Sequence, residues 1–163
     1  MSLPFSETTL QRFAREVAKY PSGHQQSAVM ACLAIVQHEQ GWVSGEAELA
    51  VAQYLGMPPI AVHEVTTFYN MYNQQPVGRY KLNVCTNLPC ALRGGDRALA
   101  HVCQRLGVQP YGSTTDGAFT VQPSECLGAC ADAPVMLVND RQMLSFMNDE
   151  RLDELLDVLK AHK

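Results

Sequence analysis

The stretch VCTNLPCALRGG, residues 84–95, sets Cys85 and Cys90 either side of four residues and follows them with two glycines. Just upstream, Tyr80, Leu82 and Val84 alternate with Lys81 and Asn83, the two-residue period of a strand. The two cysteines therefore bracket the turn that leaves a strand. Further along, ECLGACADAPVMLVND, residues 125–140, carries Cys126 and Cys130 with three residues between them, just ahead of an apolar run that reads as a buried strand. Two loops, each with a close pair of cysteines, are the signal around which the rest of the chain is read.

Working outward, Asp96 opens a helix as its candidate N-cap, with Ala98, Leu99, Val102, Cys103 and Leu106 on its apolar face and Gly107 at its end. AFTVQ is a short strand, PVMLVN a buried one and QMLSFM its hairpin partner. NDERLDELLDVLKAHK is a closing amphipathic helix with Asn148 as cap, acids in its first turn and Lys160 in its last, as the helix dipole favours. The order strand, helix, three strands, helix describes a small α/β sandwich. Upstream of the turn-rich NQQPVGRY the chain is helical. TLQRFAREVAKY, QQSAVMACLAIVQHEQG, SGEAELAVAQYLG and PPIAVHEVTTFYNMY are four helices, with Gly41 placed to cap the second. Phe68, Tyr69 and Tyr72 are core or interface residues. The whole is α+β: an N-terminal helical bundle over residues 1–75, then the α/β domain over 76–163.

Composition narrows the function classes. A 47% hydrophobic share supplies a packed core, while 17% charged residues is low and is consistent with surface covered by a partner. A net charge of −4 argues against nucleic acid as a partner. The longest apolar run, Ala28 to Val36, is nine residues, against about 20 for a span. MSLPFSETTL lacks the basic and apolar regions of a signal peptide. The expectation is a cytoplasmic protein without a direct membrane span, attached to a membrane only through another subunit. In that compartment structural disulfides are rare.

Of six cysteines, Cys32 and Cys103 lie on apolar helical stretches and read as small buried hydrophobes. The other four read as a metal site. Gaps of four and three residues are too wide for a dithiol of the Cys-x-x-Cys type. Zinc tolerates such gaps, so a zinc-stabilised interaction module stays open. The wide loops, the absence of a nearby histidine, and Gly94, Gly95 and Gly128 beside the sulfurs incline the reading to a 2Fe–2S cluster, whose potential is tuned by backbone N–H groups at sulfur.

These two stretches, with VHEVTTFYNMYNQQPVGRYKLNVC before them and the helical N-terminal region, resemble the thioredoxin-like 2Fe–2S subunit of respiratory complex I, the NADH:quinone oxidoreductase, over nearly the whole chain. The resemblance implies a thioredoxin-like domain carrying one cluster, held by Cys85 and Cys90 on one iron and by Cys126 and Cys130 on the other. It implies docking to the flavin- and NADH-binding subunit, with FMN and NADH on that partner and the large iron–sulfur subunit of the peripheral arm nearby. It also implies a cis bond before Pro134. An equivalent diaphorase subunit of an NAD-linked hydrogenase or formate dehydrogenase shares the same cysteines. The family usually has glycine where this chain has Ala131; were that position left-handed, alanine would be strained there. No G-x-G-x-x-G, P-loop or H-E-x-x-H motif occurs, so the chain is expected to have no catalytic residue and no NADH or flavin site of its own. His63 reads as a helix-surface or interface residue and Trp42 as a packing anchor. Arg93 and Asp132 are charges beside the cysteine loops.

Overall fold

A computed structural model of the chain describes residues 4–161. The first residues of the stretch read for a signal peptide, and the last two of the closing helix, lie outside that range. The chain divides into two compact units between Pro76 and Val77.

Among the described residues, the first unit holds four helices, α1 (Glu7–Val17), α2 (Val29–Gln40), α3 (Gly45–Leu55) and α4 (Pro59–Phe68), with a 3₁₀ turn over Gln25–Ala28 leading into α2. Ser6 caps α1 and Ser44 caps α3, each hydroxyl accepting a backbone N–H in the first turn. Gly41 and Gly56 end α2 and α3 in the left-handed conformation that a side chain disfavours. Phe13, Leu33, Val36, Val51, Leu55 and Val62 form the core, with Cys32 fully buried among them. Burial pushes the Cys32 thiol up to about 12, so it stays a neutral hydrophobe.

Helix α4 stops earlier than its sequence pattern implied. Tyr69 is already extended, and the chain turns so that Tyr72 enters the core and donates its hydroxyl to the Met30 carbonyl at 2.8 Å. Phe68 is left 81% exposed. Trp42 is half-buried, and its neighbour Val43 occupies the core instead. Buried Glu48 joins α3 to α4 by accepting from the Thr66 hydroxyl and pairing with His63 Nδ1 at 2.9 Å.

The second unit is a four-stranded sheet in the order β2-β1-β3-β4, with β1 spanning Tyr80–Cys85, β2 Phe119–Ser124, β3 Met136–Val138 and β4 Gln142–Leu144. Strand β1 pairs parallel with β2 and antiparallel with β3. Three helices complete it: α5 (Leu88–Leu92), α6 (Gly95–Leu106) and α7 (Asp149–Ala161). Leu82 and Val84 of β1, Phe119 and Val121 of β2, and Met136 and Val138 of β3 share one apolar face with Ala98 and Val102 of α6 and Leu152 and Leu156 of α7.

Three details differ from the sequence pattern. The turn after β1 contains α5, a helix too short for periodicity to reveal. Asp96 is not a cap: Gly94, left-handed at φ 94°, precedes α6, and Asp96 lies in its first turn. Strand β1 is buried on both faces. Lys81 is 2% exposed and pairs with Asp140 at 2.5 Å, and Asn83 donates to the same carboxylate at 2.7 Å. A buried cation is tolerated because it is paired.

Helices α6 and α7 are laced by Arg97–Asp149, His101–Asp153 at 2.8 Å and Arg105–Asp153 at 2.7 Å. Hydrogen bonding from Arg97 holds the Asp149 carboxyl below its ordinary value, and His101 does the same for Asp153. A depressed folded-state value means the unfolded chain binds more protons in acid, so this contribution is complete at neutral pH and is lost as pH falls below about 4. Acid unfolding followed by circular dichroism will show a shallower limb for Asp153→Asn than for the parent, with the two proteins converging at low pH.

Candidate metal centre

Strand pairing brings the two cysteine loops together. Cys85 ends β1, where Ser124 is its parallel neighbour on β2, and its N–H donates to the Val135 carbonyl at 3.1 Å. Ser124 immediately precedes the loop with Cys126 and Cys130, and Val135 immediately follows it. Cys85 is thus flanked by both ends of the second loop, while Asn87 donates to Glu125 at 2.9 Å across the two. Cys130 opens a 3₁₀ turn through Asp132.

The first pair is set in the scaffold. Cys85 and Cys90 are 2% and 1% exposed and pack with Ala133 and Val135. Gly95 is essential to this packing: a Cβ there would lie 2.6 Å from the Cys85 carbonyl oxygen and 2.9 Å from the Cys90 carbonyl carbon. The N-terminus of α6 rests directly on the cysteine backbone, and only glycine fits between. The second pair is exposed. Ala133–Pro134 is cis. Ala131 lies within the 3₁₀ turn and is not among the left-handed residues, so the strain considered for it does not arise.

Two of the four sulfurs register their neighbours. Burial pushes the Cys90 thiol up, with smaller contributions from a hydrogen bond with Cys85 and from the charges of Cys85 and Cys130. Cys130 is raised first by its hydrogen bond with Cys126, then by burial and by the charges of Cys126 and Cys85. Thiols gathered this way resist becoming thiolates together, because each negative sulfur repels the next. Cationic metal removes that repulsion. Backbone donors are also present: the Gly128 N–H donates to Cys126 Sγ at 3.4 Å, and the Val135 backbone hydrogen-bonds Cys90. Gly94, by contrast, gives its N–H to the Ala91 carbonyl.

Among the described residues, no three His, Cys, Asp or Glu side chains close around a single ion. Two pairs of thiols from two loops, with a backbone donor at Cys126 and another at Cys90, suit a two-iron group. The family model for the thioredoxin-like 2Fe–2S ferredoxin matches residues 13–160. The chain belongs to that family.

Curated relatives extend the match. The chain is 40% identical over 154 residues to NADH-quinone oxidoreductase subunit 2 of Thermus thermophilus, covering 94% of this chain and 85% of that one. It is 39% identical to an NADH-quinone oxidoreductase subunit of Rhizobium meliloti, covering 94% and 90%. Among solved structures, a chain of an NAD⁺-reducing NiFe-hydrogenase in the H₂-reduced state superposes with a TM-score of 0.70 at 22% identity over 83% of this chain. This chain spans only 22% of the hydrogenase chain's length, and the likeness speaks to the fold.

The ferredoxin unit's other cysteine, Cys103, is buried in α6, where burial raises its thiol. It packs in the main core of the unit rather than with Cys85 and Cys90. Sequence reading missed three supports of the site: α5, the contact of Gly95 with the cysteine backbone, and the Ser145 hydroxyl that donates to Asp132 at 3.0 Å. The glycine pair at 94 and 95 was the visible trace of the second; the third left none. Arg93 is exposed.

Two substitutions separate scaffold from bystander. Gly95→Ala will displace α6 from the cysteine loop and cost about 1–3 kcal/mol, read as a fall in denaturant midpoint. Cys103→Ala will cost about 1 kcal/mol and leave the iron content unchanged.

Proposed function

We propose that the chain is the 2Fe–2S electron-transfer subunit of an NADH:quinone oxidoreductase, with Cys85 and Cys90 holding one iron and Cys126 and Cys130 the other. The meeting of the two cysteine loops at one edge of the sheet, with Cys85 between Ser124 and Val135, carries the reading. The relatives named as subunits of this oxidoreductase, matched across most of both chains, support it. A bound cluster of this type supplies a place for one electron beside two-electron flavin chemistry.

The chain's own contribution is positional. Strand β1 and Gly95 fix Cys85 and Cys90 in a dry setting. The Gly128 N–H at Cys126 and the Val135 backbone at Cys90 stabilise negative sulfur, which sets how readily the site accepts charge. In this reading the hydride chemistry belongs elsewhere: NADH and FMN bind the partner flavin subunit, and the chain has no site of its own for either. The large iron–sulfur subunit completes its surroundings in the peripheral arm. Among the described residues no helix is long and apolar enough to cross a membrane. The proposed location is cytoplasmic, on the membrane-peripheral part of the complex.

Iron and acid-labile sulfide analysis of the purified full chain tests this. Two irons and two sulfides per chain, a visible charge-transfer spectrum and an EPR signal on reduction are expected. Cys126→Ser will abolish or badly destabilise the iron while the helices of the first unit stay folded by circular dichroism. A colourless zinc protein, or an unaltered signal in Cys126→Ser, overturns the assignment.

A further inference from the structure

The two halves of the site are held by different means. Cys85 and Cys90 are buried against strand, helix and core, whereas Cys126 and Cys130 stand exposed on a loop with only a three-residue 3₁₀ turn for internal structure. Past Cys130 that loop is tied down by the segment between β4 and α7. The Ser145 hydroxyl donates to Asp132 Oδ2 at 3.0 Å. The Phe146 N–H donates to the Asp132 carbonyl at 2.8 Å, and the Met147 N–H to the Pro134 carbonyl at 2.9 Å. Three hydrogen bonds from three successive residues thus reach the residues just past Cys130.

The segment is itself anchored. Arg151 Nη1 donates to the Ser145 carbonyl at 3.0 Å, and the Asn148 side chain caps α7 by accepting the Arg151 N–H at 3.0 Å. Met147 is buried in the core of the ferredoxin unit. Phe146, between them, is left-handed at φ 55°, a conformation that a bulky residue rarely holds, and its ring remains partly exposed. The surroundings impose that conformation, and it allows Phe146 and Met147 to present successive N–H groups to one loop.

We infer that Ser145–Met147 is a brace for the exposed half of the site, and that Asp132 and Ser145 are positioning residues that fix the Cys130 backbone and so retain the iron it holds. The brace stands on the contacts alone; its consequence for iron rests on the cluster reading above. Asp132, which by sequence is an acid beside an anionic site, has its carboxylate turned to Ser145 and works as an acceptor.

Hydrogen exchange on the unloaded full chain tests the brace without any cluster. Ser145→Ala and Asp132→Ala should each speed exchange in peptides spanning residues 126–134 by roughly tenfold, the worth of one hydrogen bond to a charged acceptor. Peptides from β1 should keep their protection, which also shows that the variants fold. Ser145→Thr, which keeps the hydroxyl, should restore the parent rate. On the reconstituted chain the same alanine variants should release iron to a chelator faster and broaden the reduced EPR signal, again with rescue by Ser145→Thr. Unchanged exchange over 126–134 overturns the brace. Faster exchange with unchanged iron retention and signal overturns the positioning role. If the parent chain takes up no iron and sulfide, the cluster reading fails, and the exchange comparison still decides the brace.

Discussion

The pairing of β1 with both of its neighbours is the constraint on which the site depends. Because β3 runs antiparallel to β1, the end of one strand meets the beginning of the other, and Cys85 lies against Val135. Because β2 runs parallel to β1, both strands finish at the same edge, and Ser124 lies beside Cys85. A loop that starts after Ser124 and finishes before Val135 cannot avoid the turn that follows Cys85. The meeting of the two cysteine loops is therefore a product of backbone hydrogen bonding and strand direction, and the side chains refine it.

Around this edge the chain spends its polar groups unevenly. One face of β1 is apolar and closes the core with α6 and α7. The other carries Lys81 and Asn83, both satisfied by the single carboxylate of Asp140 in the β3–β4 turn, where Asn139 and Asp140 adopt the left-handed conformation that short polar side chains tolerate. The hairpin is thereby locked to β1 from both sides, by ladder bonds and by a buried ion pair. That lock holds β3 in place, and β3 in turn defines where the second cysteine loop must end.

Much of this was legible in the sequence. The caps at Gly41 and Asn148 and the burial of Cys32 follow from local chemistry and stand as read. What was illegible depends on distant partners. The burial of Lys81 and Asn83 left no trace, because alternation reports hydropathy and is silent about a carboxylate that lies 57 positions beyond Asn83. Helix α5 is shorter than two turns, below the length at which periodicity speaks. Asp96 resembled a cap, yet the left-handed Gly94 is the cap and puts the start of the helix two residues earlier. Ser145 carries no signal at all until its partner Asp132 is seen beside it.

The parallel pairing of β1 and β2 also has a bearing on how the molecule is made. Two parallel neighbours cannot be joined by a tight turn, so α6 and the segment after it must be laid down before Ser124 can reach Cys85. Such non-local contacts form slowly. During synthesis the earlier two thiols therefore emerge well before their counterparts exist, unshielded by the sheet edge that later encloses them. A newly made chain therefore holds Cys85 and Cys90 as open thiols until β2 and β3 have docked beside β1.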